Sequence, residues 1–585
     1  MHRFEVWAPH PARVELECDG RRLAMARQHR GWWRTDVADA GAGSRYGFSL
    51  DGGAPLPDPR SPHQPDGVLG LSAVVDHDAF AWTDQAWRGV ALPGAVLYEM
   101  HVGTFSALGT FEGAIEHLPH LVELGVDAVE LLPVAEAPGG RGWGYDGVDL
   151  FAPHHAYGGP DGLKRFVDAC HRSGLGVVID VVYNHLGPTG NHLSQFGPYF
   201  TDRHRTPWGE AVSFDGPDSD EVRRFVLDNA VMWLRDYHCD GLRLDAVHAI
   251  ADDSALHILE ELAAEVHALG AHLRKPLFVI AESDRNDPRL VRSAEAGGFG
   301  LDAAWADDWH HAVHVALTGE SDGYYADYVA PDALPAALRQ AWVLDGRWSA
   351  TRRRAHGRAP TGLSPERFVV CTQNHDQVGN RALGERSAAL MTDGRLKIAA
   401  ALLLTSPFVP MLFQGEEWGA RSPFLYFTDH HDPELARAVR AGRRAELAAF
   451  GWDPEAVSDP QDEGTFARSR LDWSCLDAPG HAELLDWYRT LLRLRRRLPA
   501  LTDPRIPAEA SCDEGLLRQQ RGSVGLAANL APVSRTVELP PGSELLARSD
   551  AGVAHDRNEV VVPVDSVVLW HEPVDPWSTA PRPSI

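Results

Sequence analysis

The sequence lacks the features that mark secreted, zinc-bound or membrane-spanning proteins. Its 585 residues include only six cysteines, at positions 18, 170, 239, 371, 475 and 512, with no CxxC pair. Scattered thiols of this kind argue against a disulfide framework or a zinc site and favour a reducing compartment. No apolar run is long enough to span a membrane, and the N-terminus MHRFEVWAPH lacks the basic and apolar blocks of a signal peptide. We therefore expect a cytoplasmic protein with no membrane contact.

Positive charge is also in short supply. Lysine and arginine number 55 against 82 aspartate and glutamate residues, which gives a formal net charge of −27. A nucleic acid or an anionic membrane would have to bind against this field, so we expect neither as a partner. A neutral polymer meets no such penalty. The apolar fraction of 44% and the charged fraction of 23% are those of an ordinary globular protein.

The chain falls into three regions by pattern. Residues 1–90 contain short alternating runs such as FEVWA, RVELEC and RYGFSL, which predict an N-terminal β-sandwich. Residues 51–70 are rich in Pro, Gly and Asp and indicate a linker or surface loop. A second alternating region, with SRTVEL and VVVPVDSVVLWHE, predicts a C-terminal β-sandwich over 503–585.

The central region, 91–502, has a different pattern. Eight unbroken apolar runs occur in it: VLYEM, AVELLPV, GVVIDVVY, GLRLDAV, LFVIAE, LDAAWA, FVVCTQ and VPMLFQ. Short runs of this kind are typical of strands buried on both faces, as in parallel sheets. Helical spacing follows them, for example in EVRRFVLDNAVMWLRDYH, and we expect a helical partner for each strand. The fold predicted is α/β, a (β/α)₈ barrel flanked by two sandwiches, with an open doubly wound sheet as the alternative.

Reactive residues of such a barrel lie at the carboxyl ends of its strands. Acids at three of these ends fit together as one set, Asp245 in RLDAVH, Glu282 in AESD and Asp376 in QNHD. A single acid at a strand end is usually a loop cap or an ion-pair partner. Three acids converging on one barrel mouth cost free energy, and such costs are tolerated mainly at functional sites.

The chemistry that fits these acids is retaining glycoside hydrolysis, which needs an ionised carboxylate nucleophile and a protonated carboxylic acid. Arg243 lies two residues before Asp245 on one strand, so both side chains point the same way and the guanidinium favours an ionised nucleophile. Burial and nearby negative charge are expected to raise the pKa of Glu282, which suits the acid. Asp376 would support positive charge in the transition state. His185 and His375 suit sugar hydroxyls, because a neutral imidazole both donates and accepts.

The segments DVVYNH, GLRLDAV, IAES and QNHD resemble the four signature regions of the α-amylase superfamily of glycoside hydrolases, in order and on the corresponding strands. The resemblance implies Asp245 as nucleophile, Glu282 as proton donor and Asp376 as transition-state stabiliser. It also implies that the residues around the cleaved glucose are Arg243, His185, His375, Tyr145, which would stack on the sugar, and Asp146.

The longer strings RLDAVHAI, AESDRNDPR, WADDWHH and QNHDQVGNR resemble a branch of this superfamily that cleaves the α-1,4 bond next to the terminal trehalose of a maltooligosaccharide. We expect an α-glucan with terminal trehalose as the substrate. Trehalose on the leaving-group side requires hydroxyl partners in a specific arrangement. The available candidates are His248, Asp284, Asp307, Asp308, Trp309, His310, His311, Gln377 and Asn380. For the aromatic members a structural role remains open, since Trp309 could pack in the core and His310 or His311 could cap a helix.

Many α-amylases bind calcium with the help of a histidine four residues beyond the nucleophile. Ala249 stands at that position here, and residues 186–217 contain no evident cage of the six to eight oxygens that calcium needs. We expect no required metal and no cofactor.

Two other interpretations stay open. A 1,4-α-glucan branching enzyme has a similar start to its barrel, YEMHVGTF, and passes the same intermediate to a sugar hydroxyl; the string SDRNDPR after the acid speaks against it. A debranching hydrolase is a weaker alternative among enzymes that act on α-glucans. A non-catalytic glucan-binding relative belongs to a different class of protein, but such proteins usually lose a catalytic carboxylate, and all three are present.

Overall fold

The computed structural model describes residues 1–449 and 455–573. At its centre, eight parallel strands close into a barrel in chain order, and the eighth is hydrogen-bonded to the first. The strands are β1 (Leu97–Met100), β2 (Ala128–Leu131), β3 (Gly176–Val181), β4 (Gly241–Leu244), β5 (Phe278–Ala281), β6 (Ala303–Trp305), β7 (Phe368–Cys371) and β8 (Val409–Phe413). All eight predicted apolar runs form barrel strands, so the closed barrel is confirmed and the open sheet is not.

The strands form where the sequence offers apolar residues on both faces. Every residue of β3 is buried, because one face packs into the barrel and the other against the surrounding helices. Side chains from the strands fill the barrel interior, among them Leu97, Val178, Ile280 and Val409. The barrel is therefore a packed core, and chemistry is confined to its ends.

Helices surround the barrel. The longer ones are Leu118–Leu124, Gly159–Arg172, Ser219–Arg235, Ile258–Leu273, Asp307–Thr318, Ala333–Gln340, Asp393–Thr405, Pro433–Ala449 and Pro479–Arg497. Shorter ones are Val102–Phe105, Phe111–Ile115, Leu193–Phe196, His375–Gly379, Ser387–Leu390 and Glu463–Arg468. No helix within the described part of the chain has the length and apolar character to cross a membrane.

The prediction of a helical partner for every strand is wrong after β5. The connection from β5 to β6, all of which is described, holds a single 3₁₀ turn, Ala294–Ala296, and no α-helix. Pro288 and three glycines at 297, 298 and 300 explain the difference, because they interrupt helical hydrogen bonding over a short segment.

Antiparallel sheets flank the barrel at both chain ends, as predicted. The N-terminal strands are His2–Trp7, Val14–Cys18, Arg21–Ala24, Ala26–Arg27, Trp32–Val37, Arg45–Leu50, Pro55–Leu56 and Ser72–Ala73, in two sheets. The C-terminal strands are Glu509–Asp513, Leu516–Arg521, Val524–Asn529, Arg535–Glu538, Glu544–Arg548, Ala554–Asp556, Glu559–Val562 and Ser566–His571, also in two sheets. The domain boundaries between residues 90 and 91 and between residues 502 and 503 stay predictions.

The segment 51–70 is more integrated than a linker or surface loop. Pro55–Leu56 pairs with Phe48 and Ser49 of the N-terminal sheet, and the side chain of Gln64 is fully buried. Gln64 donates to the carbonyl oxygens of Gly67 and Gly70, so its amide satisfies backbone groups that a buried loop would otherwise leave unpaired.

Three two-stranded ribbons lie in the connections of the barrel. They pair Ala135–Glu136 with Asp149–Pro153, Phe200–Thr206 with Gly209–Val212, and Trp348–Ser349 with Arg354–Ala355. Residues of the first two of these connections, together with strand ends, line the cleft described next.

Candidate active site

A cleft of about 560 Å³ opens at the carboxyl end of the barrel, within the size range typical of ligand pockets. Eight of the predicted site residues line it: Tyr145, Asp146, His185, Asp245, His248, Glu282, His375 and Asp376. They come from strands β2, β3, β4, β5 and β7, which is the convergence expected for a barrel whose strand ends carry the chemistry.

Arg243 lies beneath this cleft on β4 and is fully buried. Its Nη1 is 2.7 Å from Asp180 Oδ2 and 3.0 Å from Asp245 Oδ1, and its Nη2 is 3.8 Å from Glu282 Oε2. The guanidinium also lies 4.2 Å above the ring of Trp305. One cation therefore gathers three carboxyl groups, and it brings the predicted nucleophile and the predicted acid to the same point of the cleft.

Hydrogen bonds fix both oxygens of Asp245. Arg243 holds Oδ1, and Asn184 Nδ2 donates to Oδ2 at 2.7 Å. The same amide donates to the carbonyl oxygen of Asp245 at 2.9 Å. A carboxylate held by donors on each oxygen has a fixed orientation, which is what in-line attack on one carbon requires.

Glu282 occupies a different environment. Burial raises the pKa of Glu282, Arg243 lowers it, and Asp245 and Asp376 raise it further; the resulting pKa is about 8. Its Oε2 accepts a hydrogen bond from the backbone N–H of Ala246 at 2.6 Å. Glu282 is thus protonated at neutral pH, and Oε1 is the oxygen left to present the proton. Ala246 has a φ of 40°, a strained value for alanine, and strain of this kind clusters at functional sites.

His375 and Asp376 open a short helix that follows β7. Asn374 Oδ1 caps this helix by accepting from the backbone N–H groups of Asp376 and Gln377, at 2.9 and 3.2 Å. The cap fixes the first turn. It therefore orients both side chains toward the cleft, where both line the wall.

Glu99 on β1 holds His375 from below. Its Oε1 is 2.6 Å from His375 Nδ1, and its Oε2 accepts from the backbone N–H of His375 at 2.9 Å. Burial lowers the pKa of His375, but Asp376 and Glu99 outweigh it and bring the pKa to about 9. The expectation of a neutral ring is therefore wrong for His375, because the imidazole is cationic at neutral pH and both nitrogens are donors.

A chain of hydrogen bonds joins His375 to Arg243. His375 Nε2 donates to the hydroxyl oxygen of Tyr145 at 2.8 Å, and this hydroxyl donates to Asp180 Oδ2 at 2.7 Å. Asp180 in turn accepts from Arg243. The rings of Tyr145 and His375 are stacked, with centroids 5.2 Å apart. These hydrogen bonds hold Tyr145 so that its ring borders the cleft.

His185 is neutral, since burial lowers its pKa. Its ring stacks on the indole of Trp208, with centroids 4.2 Å apart and planes 7° from parallel. Trp208 comes from the ribbon Phe200–Thr206 with Gly209–Val212 and lines the cleft although it is half exposed. Sequence reasoning missed it, because the loop that carries it has no strand end to place it.

Of the remaining predicted sugar-binding residues, Asp284 binds Arg352 at 2.8 Å and is partly exposed. Asp307 accepts from Gln377 Nε2 at 3.2 Å, and burial raises the pKa of Asp307 to about 7. Asn380 donates to Asp376 Oδ1 at 3.4 Å. These residues are not among those that line this cleft.

The prediction that residues of the helix Asp307–Thr318 bind sugar needs correction for three of them. Asp308 is buried and accepts from Asn286 and from the backbone N–H groups of Val343 and Leu344. Trp309 has no exposed surface, and His310 is buried against His311 at 2.9 Å between their Nδ1 atoms. Asp308, Trp309 and His310 thus anchor the protein interior, while His311 contacts the rings of Tyr324 and Tyr328.

Among the residues that the structure describes, two groups of side chains are close enough to hold a cation. They are Glu136 with His154 and His155, and His204 with Asp215 and Asp253. Glu136 is already hydrogen-bonded to His155 Nδ1 at 2.8 Å. Arg203 lies 3.7 Å from Asp215 and competes with a metal there. Neither group lines the cleft. The expectation that no metal or cofactor is required stays a prediction.

The opposite wall of the cleft was also missed by sequence reasoning. It consists of Tyr426, Thr428 and His430, which follow β8, and of Leu435 and Val439 on the helix Pro433–Ala449. His430 stands in the string TDHHD, whose polarity indicates a surface loop. Only the folded connection brings it beside Asp146, with His430 Nδ1 and Asp146 Oδ2 3.7 Å apart.

A closed barrel in which Asp245 and Glu282 contact one buried arginine and Asp376 lines the same cleft defines a glycoside hydrolase of the α-amylase class. The model of the alpha-amylase catalytic domain matches residues 77–198. A malto-oligosyltrehalose trehalohydrolase from Arthrobacter ramosus is 53% identical over 548 residues, 92% of this chain and 93% of the relative. The chain belongs to the malto-oligosyltrehalose trehalohydrolase family.

Other comparisons agree with this assignment. A malto-oligosyltrehalose trehalohydrolase from Mycobacterium tuberculosis is 46% identical, over 97% of this chain and 99% of the relative. A crystal structure of a Salmonella typhimurium protein superposes with a TM-score of 0.87 at 39% identity, covering 97% of each chain. A 1,4-alpha-glucan branching enzyme from Xanthomonas campestris is more distant, at 29% identity over 85% of this chain and 65% of that enzyme.

Proposed function

We propose that this hydrolase cleaves the α-1,4-glucosidic bond next to the terminal trehalose unit of a malto-oligosyltrehalose, with retention at the anomeric carbon, and releases trehalose. The observation that carries the mechanism is the contact of Asp245 and Glu282 with one guanidinium. The substrate follows from the trehalohydrolases that are 43–53% identical to the chain. All six cysteines are free, which supports a cytoplasmic location.

In the first step, Asp245 Oδ attacks the anomeric carbon while Glu282 gives its proton to the glycosidic oxygen. The bond to trehalose breaks, and a covalent glucosyl–Asp245 ester forms. The raised pKa of Glu282, about 8, supports its role as the acid, since the group is protonated before the reaction.

In the second step, the Glu282 carboxylate takes a proton from water, and the water oxygen displaces Asp245 from the anomeric carbon. Asp376 stabilises the positive charge that develops on the ring in both transition states. Arg243 donates to the carboxylates of Asp180 and Asp245. His185 and His375 border the hydroxyl groups of the cleaved glucose, and Tyr145 stacks on its ring. Asp146 completes the site for the cleaved glucose.

The leaving trehalose lies on the side of Glu282, because the acid must reach the glycosidic oxygen. His248 lines the cleft, and Asp284, which follows β5 shortly after Glu282, binds Arg352. Asp307 and His311 follow β6, and Gln377 follows β7. We propose that these groups present donors and acceptors to the trehalose hydroxyls, as a site selective for a 1,1-linked disaccharide requires.

Product analysis tests the substrate. The purified enzyme is incubated with maltotriosyl trehalose and, in parallel, with maltopentaose; an Asp245→Asn variant serves as the control. We expect a non-reducing disaccharide, trehalose, from the first substrate and slow cleavage of the second. A reducing disaccharide such as maltose from the leaving-group side would show that the substrate is wrong.

The transferase alternative has a separate test. A branching enzyme would pass the glucosyl intermediate to a sugar 6-hydroxyl, so incubation with amylose would yield new α-1,6 linkages. We expect none, because the chain resembles the hydrolases over nearly its full length and the branching enzyme only distantly. New branches would overturn the assignment as a hydrolase. The three carboxylates in the cleft speak against a non-catalytic glucan-binding role.

A further inference from the structure

A second cavity lies at the other end of the barrel from the active site, and the proposed reaction makes no use of it. Its volume is about 560 Å³, equal to that of the active-site cleft. We infer that this cavity binds a phosphate ester that carries a ring, either a nucleotide or a sugar phosphate, with the ring on its tryptophans and the phosphate on its arginines. The inference goes beyond the proposed function and does not depend on it.

The residues that line this cavity lie at the amino ends of the barrel strands. Arg235 ends the helix that precedes β4, and Arg274 follows the helix that precedes β5. Trp87 and Arg88 lie in the segment before β1. In barrels of this type the carboxyl ends carry the chemistry, whereas the amino ends contribute stability. Catalysis therefore does not explain a cavity of ligand size at this end, and the binding of a ligand that is not transformed does.

Two tryptophans of the cavity wall are held in place, each stacked on a histidine. The ring of Trp82 lies on His238 with centroids 3.8 Å apart, and the ring of Trp87 lies on His171 with centroids 4.8 Å apart. Asp84 Oδ2 joins the two pairs, since it is 2.8 Å from His238 Nδ1 and 2.9 Å from His171 Nδ1. Both indoles line the cavity and are fixed before a ligand arrives. A planar base, or the apolar face of a sugar ring, can stack on such a surface at little cost in entropy.

The charges around the cavity leave two guanidinium groups unmatched. Arg235 and Lys275 are each paired with an aspartate, at 2.6 and 2.9 Å. Arg88 donates to backbone carbonyl oxygens, and neither Arg88 nor Arg274 has a carboxylate partner within the described ranges. Asp84, the only acid among the described residues that line the cavity, is already held by the two histidines.

Two unmatched cations at one cavity indicate an anionic ligand, because cations are scarce in this chain, at 55 against 82 acidic side chains. Among anionic groups, a phosphate matches the guanidinium well, since the planar fork of donors binds two of its oxygens at once. The stacked indoles add a surface for a ring. The cavity therefore offers separate partners for the two parts of a phosphate ester.

Helix dipoles account for only part of this positive charge. A cation at the carboxyl end of a helix is stabilised by the carbonyl groups there, and Arg235 and Arg274 lie at such ends. Arg88, however, lies in the described segment 80–96, which contains no helix. Arg274 has a φ of 54° and His238 a φ of 59°, in the left-handed region that favours glycine or asparagine. Residues held in this way cluster at ligand sites, and both line the cavity.

Isothermal titration calorimetry with four probes tests the site. Adenosine 5′-monophosphate and glucose 6-phosphate each combine a ring with a phosphate, and comparing them distinguishes a nucleotide site from a sugar phosphate site. Inorganic phosphate supplies the charge alone, and maltotriose the sugar alone. We expect at least one ester to bind about 10-fold or more tightly than inorganic phosphate, because the ring adds stacking to the charge. In the double variant Arg88→Gln/Arg274→Gln this affinity should fall about 10-fold or more, since charge-assisted hydrogen bonds are lost.

Arg497→Gln is the matched control, because Arg497 also ends a helix and is exposed but does not line the cavity. It should keep the wild-type affinity, and both variants should keep the wild-type thermal midpoint without ligand, which shows that they are folded. The inference would be overturned if neither ester bound more tightly than inorganic phosphate, or if the double variant kept the wild-type affinity for both esters. A loss of affinity for maltotriose alone in the double variant would also overturn it, since the cavity would then bind neutral glucan.

Discussion

Glu282→Gln separates proton donation from every other contribution to the reaction. The amide keeps the shape of the side chain and can still accept from the N–H of Ala246, the contact that Oε2 makes at 2.6 Å. It cannot donate a proton to a glycosidic oxygen. The variant should therefore bind substrate but fail to assist the departure of an alkoxide.

The size of the loss follows from general acid catalysis, which contributes roughly 10²–10⁴-fold, or about 3–5 kcal/mol of barrier. On maltotriosyl trehalose we expect the rate of the first turnover to fall by this factor. On a maltosyl fluoride the leaving group needs no proton, so fluoride release in the first turnover should stay within about tenfold of wild type. Asp245→Asn should lose both reactions, since the nucleophile serves either substrate.

The pH dependence of kcat/KM tests the role of Glu282 in a second way. In wild type, kcat/KM should fall as pH rises through about 8, because the free enzyme then loses the proton that Glu282 must donate. Glu282→Gln acting on the fluoride should lack this fall. The reasoning would be refuted if the variant lost equal activity on both substrates, or if it kept the wild-type alkaline limb.

Two further substitutions test the surroundings of the site. Glu99→Gln removes the carboxylate 2.6 Å from His375 Nδ1, so the pKa of His375 should fall from about 9. The ratio of variant to wild-type kcat/KM should then be lower at pH 8 than at pH 6. A ratio independent of pH would contradict the role of Glu99 in keeping His375 charged. Asp308→Ala leaves several buried donors unpaired and should lower stability by roughly 1–3 kcal/mol for each donor that stays unpaired. The thermal midpoint should then be lower than for the control Asp322→Ala, whose side chain is exposed. Equal midpoints would show that Asp308 does not anchor this region.

The barrel could be predicted from the sequence because its strands are buried on both faces. A run such as Gly176–Val181 lacks the alternation of polar and apolar residues that marks a strand buried on one face only. Eight such runs suffice to close a barrel. The connection after β5 could not be predicted by counting strands and assigning a helix to each, because the alternation of strand and helix in such barrels is only a tendency. Its glycines and Pro288 were the available signal.

The catalytic carboxylates could be predicted because strand ends fix their position. Asp245 and Glu282 follow β4 and β5 directly, so the barrel itself brings them together. The charge of His375 could not be predicted from its own segment, because its partner Glu99 lies on β1 and meets it only when the barrel closes. His430 was missed for a similar reason, since its neighbour Asp146 is far away in the sequence.

The central claim is that Asp245 forms a covalent bond to the substrate and that water then breaks it. Two inversions restore the starting configuration, so the new reducing end must appear first as the α-anomer. Proton NMR of maltotriosyl trehalose hydrolysis, followed from the first minutes before mutarotation equilibrates the product, measures this directly. We predict α-maltotriose as the initial product; β-maltotriose would contradict the double displacement.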